Sequence, residues 1–218
     1  MNFFLFLKFF LRLIRYFFSD TKRYSFLLWQ VFKNKPKSII EVGVYNGRRA
    51  VELIETAKIF NKKIKYYGFD LFEDFYKKKN LISKESSKFP ISKKKIERKI
   101  NFLKDIKLIK GNTRITLLKF SKKIKKVDFV FLDGGHSIKT IKSDWKYTER
   151  MISSNSIVVF DDYYETIDNL KDKFGCNKVI DNLSNKKYII NKNETGDIFF
   201  DKYFNVNKKI FMVSVKKK

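Results

Sequence analysis

Five short apolar runs punctuate the middle of the chain, and each ends in an acid or a glycine just before a segment of helical periodicity. The first is Ser38–Val42, running into Gly43 and carrying Glu41. KIKYYGFD ends at Asp70, and IKLIKGN ends at Gly111-Asn112. VDFVFLD ends at Asp133, and SSNSIVVFDD ends at Asp161-Asp162. Strands that alternate with helices are joined by crossovers and build a mostly parallel sheet covered on both faces. The expected fold class is therefore α/β, doubly wound. Two later runs, KYIINKN and KIFMVSVKK, lie close in sequence and predict an antiparallel C-terminal pair, giving seven strands. In such sheets the ligand sits beyond the carboxyl ends of the strands, which is where these acids and glycines gather.

Around this frame the chain divides simply. Residues 1–35 predict two helices, the second beginning after Ser19-Asp20 and ended by Pro36. Residues 36–218 predict one domain. Residues 73–101 are polar, Lys-rich and too long for an ordinary connection, and they predict a lid insertion.

Charge narrows the partners less than its size suggests. Lys and Arg number 49 against 23 Asp and Glu, a formal net charge of +26. Such a balance suits a polyanion, so a nucleic-acid-binding or nucleic-acid-modifying protein is the rival reading. Against it, the basic runs are scattered and no nucleic-acid-binding module or base-amino methylation motif is present. One cysteine, Cys176, excludes an internal disulfide and a multi-cysteine metal site; it fits a reducing, cytoplasmic setting.

The first eighteen residues, MNFFLFLKFFLRLIRYFF, do not read as a signal peptide, because Lys8 interrupts the apolar stretch and no cleavage site follows. As a membrane span they are short and carry three charges. Lys8, Arg12 and Arg15 are spaced i, i+4, i+7, so a helix places them in one stripe against a broad Phe/Leu face. Two readings stand: a helix lying in a membrane interface, or one packed on the domain or on a second copy in a homo-oligomer.

Gly43 and Gly47 are four apart in the turn after the first strand, where glycine permits a close backbone approach. The spacing is not G-x-G-x-x-G, which argues against a dinucleotide-binding dehydrogenase. The ordered set E-V-G-V-Y-N-G, Y-G-F-D-L-F-E-D-F, K-G-N-T, D-F-V-F-L-D-G-G-H-S and I-V-V-F-D-D-Y resembles the class I S-adenosylmethionine-dependent methyltransferases. More closely, it is similar to the macrocin-type small-molecule O-methyltransferases and to the group carrying D-G-x-H after strand four. The resemblance covers residues 38–165.

The resemblance implies a Rossmann-like methyltransferase sheet and O-methylation of a hydroxyl on a sugar or other small molecule. It implies that Glu41, Gly43 and Gly47 line the methionine end of S-adenosylmethionine, that Asp70 holds the ribose, and that Asn112 and Thr113 lie by the adenine. It further implies a divalent cation, Mg²⁺, held by Asp133, Asp161 and Asp162. Neighbouring strand ends lie about 4.8 Å apart, so acids there can reach one ion, and carboxylates suit hard cations. His136, the only histidine, follows Asp133-Gly134-Gly135. It and Asp133 are the candidate catalytic residues, His136 as general base or substrate-orienting group; the alternative is that His136 caps the helix starting near Ser137 or bonds a strand carbonyl. Two departures from the family pattern stand out: Asp74 in place of glycine within Phe72-Glu73-Asp74-Phe75, and Ser154-Asn155-Ser156 in place of a Gly-Gly turn before strand five. Asp144 and Trp145, on the helix after strand four, read as structural.

Overall fold

Each of the five central apolar runs forms a strand in the computed structural model, which describes residues 1–77, 90–101, 105–165, 173–201 and 206–218. They are β1 (Ser38–Val42), β2 (Lys65–Asp70), β3 (Ile106–Lys110), β4 (Phe129–Leu132) and β5 (Ile157–Glu165). All four pairings among them are parallel, in the order β3-β2-β1-β4-β5. The chain moves outward from β1 to β3 and then returns to β4 on the other side of β1. That reversal opens a crevice at the carboxyl ends of β1 and β4.

The C-terminal part extends the sheet antiparallel. The long strand β8 (Val206–Lys217) pairs with β5 on one side and with β6 (Tyr188–Lys192) on the other. A strand not anticipated from sequence, β7 (Asp197–Asp201), also pairs with β8, so among the described residues the sheet has eight strands instead of seven. Its apolar run is only Ile198-Phe199-Phe200 between acids, too short to stand out.

Side-chain alternation splits the core in two. Phe129 and Phe131 of β4 face one cluster, while Val130 and Leu132 face the other. The first cluster lies under α1 (Phe3–Phe17), α2 (Arg23–Asn34) and α3 (Arg48–Lys58). The second lies under α6 (Thr113–Ser121) and α7 (Ile138–Thr148), where Trp145 packs 5.5 Å from Phe160, centroid to centroid. Trp145 is thus a core residue, and Asp144 is buried beside it.

Within 73–101, α4 (Asp74–Lys77) and α5 (Lys93–Ile100) are helical, and Ile96 and Ile100 of α5 join the first core cluster. The remainder of the expected lid, residues 78–89, lies outside the described residues. The Ser153–Ser156 turn does without glycine by using hydroxyls. The Ser153 amide donates to Ser156 Oγ (2.9 Å), and that hydroxyl donates to the Val127 carbonyl (2.6 Å). Between β5 and β6 lies a short helix, α8 (Asn177–Ile180).

α1 is seated in an unusual way. Its basic stripe is turned along the domain: Lys8 and Arg12 pair with Glu55, and Arg15 pairs with Glu52, both acids lying on α3. Phe9 and Tyr16 are buried, Phe9 stacked on Phe32 of α2 at 4.5 Å. The side opposite the core remains apolar and open, and includes Phe3, Phe4, Leu7, Phe10, Leu11 and Ile14. α2 begins at Arg23 without a side-chain cap, and the Ser19 hydroxyl donates to the Tyr16 carbonyl instead of capping α2.

Candidate functional site

The carboxyl edge of the sheet brings the predicted acids together. Glu41, on β1, is fully buried; Tyr66 of β2 donates its hydroxyl to Glu41 Oε2, while Oε1 has no hydrogen-bond partner among the described residues. Burial outweighs that hydrogen bond and raises the Glu41 carboxyl to about 8. Asp70, at the end of β2, accepts the Tyr45 amide (2.8 Å) and the Phe72 amide (3.0 Å). Its carboxyl is raised because burial exceeds the effect of these amides. Asp70 therefore ties the turn after β1 to the turn after β2 and stands at the mouth between them.

Gly43 and Gly47 both have positive φ, 91° and 73°. What approaches Gly43 so closely is protein: a Cβ there would lie 1.8 Å from the Asp133 carbonyl oxygen. The Gly43 amide donates to the Phe69 carbonyl (2.8 Å), and the Asp133 amide donates to the Val42 carbonyl (2.9 Å). Glycine at 43 thus lets the β1 and β4 ends close on each other. At Gly47, the N-cap of α3, the near neighbour is the Ile96 side chain. Asn112 caps α6, its Oδ1 accepting the Arg114 amide (3.0 Å), and Thr113 is the first residue of that helix.

Beyond β4 and β5 a tighter group forms. Asp133, His136 and Asp162 present ligand atoms within 4.8 Å of one another. His136 Nδ1 is 3.4 Å from Asp162 Oδ2. The cap of α7 is Ser137, whose hydroxyl accepts the Thr140 amide, so the imidazole of His136 is not the capping group. Asp161 is not in this group. Successive strand residues point to opposite faces. The sheet register shifts between Phe160 and Tyr163, with Asp162 at φ 61°. Asp162 turns to His136, and Asp161 turns to the helical layer over the first core cluster.

There, Arg23 of α2 holds Asp161 in a two-point ion pair, Nε to Oδ1 at 2.7 Å and Nη2 to Oδ2 at 3.1 Å. The same guanidinium reaches Asp197 of β7 through Nη1 at 2.5 Å. All three residues are buried. Burial alone would raise the Asp161 carboxyl; Arg23 outweighs it and holds the group below the usual carboxylate range. Sequence reasoning did not single out Arg23, since nothing marks it among the bases of T-K-R-Y.

The donor chemistry fits a divalent cation. Two carboxylates and one imidazole suit manganese, iron or zinc as well as magnesium, because imidazole is a better ligand for the softer ions. A cavity of about 10 Å³ lies among Asp133, Gly134, Asp144, Asp161 and Asp162, room for roughly one water or small ion. The edge also fits a cationic cofactor bearing a ribose. A half-buried acid stands at the end of β2, and a buried carboxyl oxygen with no hydrogen-bond partner among the described residues stands at β1.

A parallel sheet wound in the order 3-2-1-4-5, closed by antiparallel strands and edged with acids, defines the class I methyltransferase fold. A family model described as a methyltransferase domain matches residues 40–163, more than half of the chain, and the chain belongs to that family. Solved structures agree in fold. The O-methyltransferase from Bacillus cereus in complex with SAH is 13% identical with a TM-score of 0.57, covering 88% of this chain and 79% of that one. The O-methyltransferase TomG from Streptomyces achromogenes, involved in tomaymycin synthesis and bound to SAM, is 10% identical with a TM-score of 0.59, covering 88% and 78%. An rRNA methylase from Streptococcus thermophilus is 12% identical with a TM-score of 0.53, covering 86% and 94%. Among curated protein sequences, none matches.

Proposed function

We propose that this methyltransferase uses S-adenosylmethionine to methylate a hydroxyl of a small molecule, assisted by a divalent cation. The observation that carries the reading is the gathering of Glu41, Asp70, Asp133, His136 and Asp162 along one sheet edge in a methyltransferase-family chain. Structural neighbours bound to SAM or SAH support the cofactor. In this reading Asp70 accepts the ribose hydroxyls, and Glu41, Gly43 and Gly47 form the methionine end. Asn112 and Thr113 border the adenine.

When bound, the cofactor supplies an electrophilic methyl group, and the cation lowers the pKa of the acceptor hydroxyl. Asp133 and Asp162 would hold the cation. His136 takes the hydroxyl proton at the ring nitrogen not held towards Asp162, or, where its imidazole also ligates, orients the acceptor. Asp70, Asp133 and Asp162 give a cationic cofactor an attractive edge on a strongly basic protein.

Calorimetry with S-adenosylmethionine is the direct test. Asp70→Ala is expected to weaken binding by about tenfold or more, the loss typical of hydrogen bonds to a charged group. Unchanged affinity would overturn the cofactor assignment.

The cation has its own test, in which the ligands proposed from sequence separate. Titration with Mn²⁺, followed by electron paramagnetic resonance, is expected to show binding that Asp133→Asn and Asp162→Asn abolish. Asp161→Asn is expected to leave Mn²⁺ binding in place, because Asp161 is committed to Arg23. Loss of the ion in Asp161→Asn would mean that Asp161 leaves Arg23 and restores the three-aspartate set.

A further inference from the structure

The proposed chemistry leaves the open face of α1 unused. Phe3, Leu7, Phe10, Ile14 and Phe17 recur at alternating four- and three-residue steps, and Phe4, Leu11 and Phe18 lie beside them. All eight are exposed, from 43% at Ile14 to 81% at Phe18. A stripe of this size on the outside of a domain marks an interface. It continues onto α2 through a groove of about 460 Å³ lined by Leu13, Ile14, Phe17, Phe18, Phe26 and Trp29. Trp29 is half exposed.

Charge selects the occupant. Residues 1–40 contain eight bases, Lys8, Arg12, Arg15, Lys22, Arg23, Lys33, Lys35 and Lys37, and one acid, Asp20. Lys8, Arg12, Arg15 and Arg23 are taken up by Glu55, Glu52, Asp161 and Asp197. The other four are lysines, all exposed. Lys22, Phe26, Trp29 and Lys33 follow i, i+4, i+7, i+11, so the two lysines bracket the exposed tryptophan on one face of α2. A second copy carries the same net charge of +26 and is repelled as a whole, whereas an anionic surface is attracted. No helix among the described residues is long and apolar enough to cross a membrane.

We infer that α1 and α2 form a docking face for an anionic lipid surface, with the open phenylalanine stripe and Trp29 inserted between headgroups and Lys22 and Lys33 held at the phosphates. The arrangement differs from an ordinary interfacial helix, whose basic face looks to water. Here the basic stripe fastens the helix to α3, and the attraction for lipid comes from α2. The inference is independent of the methyltransferase chemistry.

Flotation of the full chain with vesicles tests it. Equimolar phosphatidylglycerol and phosphatidylcholine vesicles are expected to carry the protein, with a blue shift of Trp29 emission, while phosphatidylcholine alone carries far less. Trp145 is buried and gives a constant background. Phe10→Ser and Leu11→Ser, at exposed positions that the fold does not need, are each expected to weaken vesicle binding about tenfold. Lys22→Glu with Lys33→Glu is expected to weaken it by about tenfold or more. No flotation at low salt, equal binding to both vesicle types, or wild-type binding by Phe10→Ser and Leu11→Ser would overturn the inference. So would a dimer in light scattering that Phe10→Ser dissociates and vesicles do not compete for, since that assigns the face to a second copy.

Discussion

Arg23→Ala is expected to remove about 3–5 kcal/mol of folding stability at neutral pH, the usual effect of taking one partner from a buried ion pair. The size follows from what is left behind. Asp161 and Asp197 would face the vacated guanidinium position as buried carboxylates with no cation between them. The Arg23 guanidinium also lies over the Tyr24 ring at 4.7 Å, so packing is lost as well. Chemical denaturation of wild type and variant measures the difference, and pH gives it a signature. In the wild type Asp161 is held below its unfolded value. Its contribution is present above the unfolded pKa and is lost as pH falls through the folded one. In the variant the buried Asp161 carboxylate, without its cation, gains by taking up a proton. The gap should therefore narrow in acid, and adding Asp161→Asn and Asp197→Asn should recover part of the loss at pH 7. A loss below about 1 kcal/mol, or one that does not change with pH, would mean the network carries little of the fold.

Glu41→Gln is expected to act in the other direction. The folded carboxyl is raised to about 8 by burial, against about 4.5 when exposed. The folded chain therefore keeps a proton that the unfolded chain releases. That contribution is complete below the unfolded pKa and is lost as pH rises through the folded one. Each pKa unit corresponds to about 1.4 kcal/mol, so the wild type should lose on the order of a few kcal/mol between roughly pH 4.5 and 8. Glutamine matches the neutral acid in shape and has no proton to lose. The variant should show a flatter stability profile and be the more stable of the two at pH 8. Parallel profiles for the two proteins would show that Glu41 is ionised in the folded chain.

Most of this architecture could be read from the chain. β1 to β5 announce themselves because parallel strands, buried on both faces, are nearly continuous apolar runs, and because each ends at the functional edge. The positions of Asp70, Asp133 and His136 followed from that alone. Besides β7, two things could not be read. One is the fate of Asp161 and Asp162, which depends on a register shift in β5 and on a partner 138 residues away in sequence. Strand alternation was the available signal, since adjacent side chains on a regular strand point to opposite faces. The other is the direction in which α1 faces. Its periodicity located a basic stripe, but only Glu52 and Glu55 on α3 determine that the stripe is used against the domain.

β8 has a kinetic consequence. It closes three ladders, with β5, β6 and β7, and its pairing joins Val158 to Val215. Contacts this distant in sequence form only after a long loop has closed, and they slow folding. Until β8 arrives, β5 presents Ile157-Val158-Val159-Phe160 along an unpaired edge, the kind of segment that seeks other strands. The part of the sheet edge that carries Asp161 and Asp162 therefore stays without its antiparallel neighbour until β8 has paired with β5.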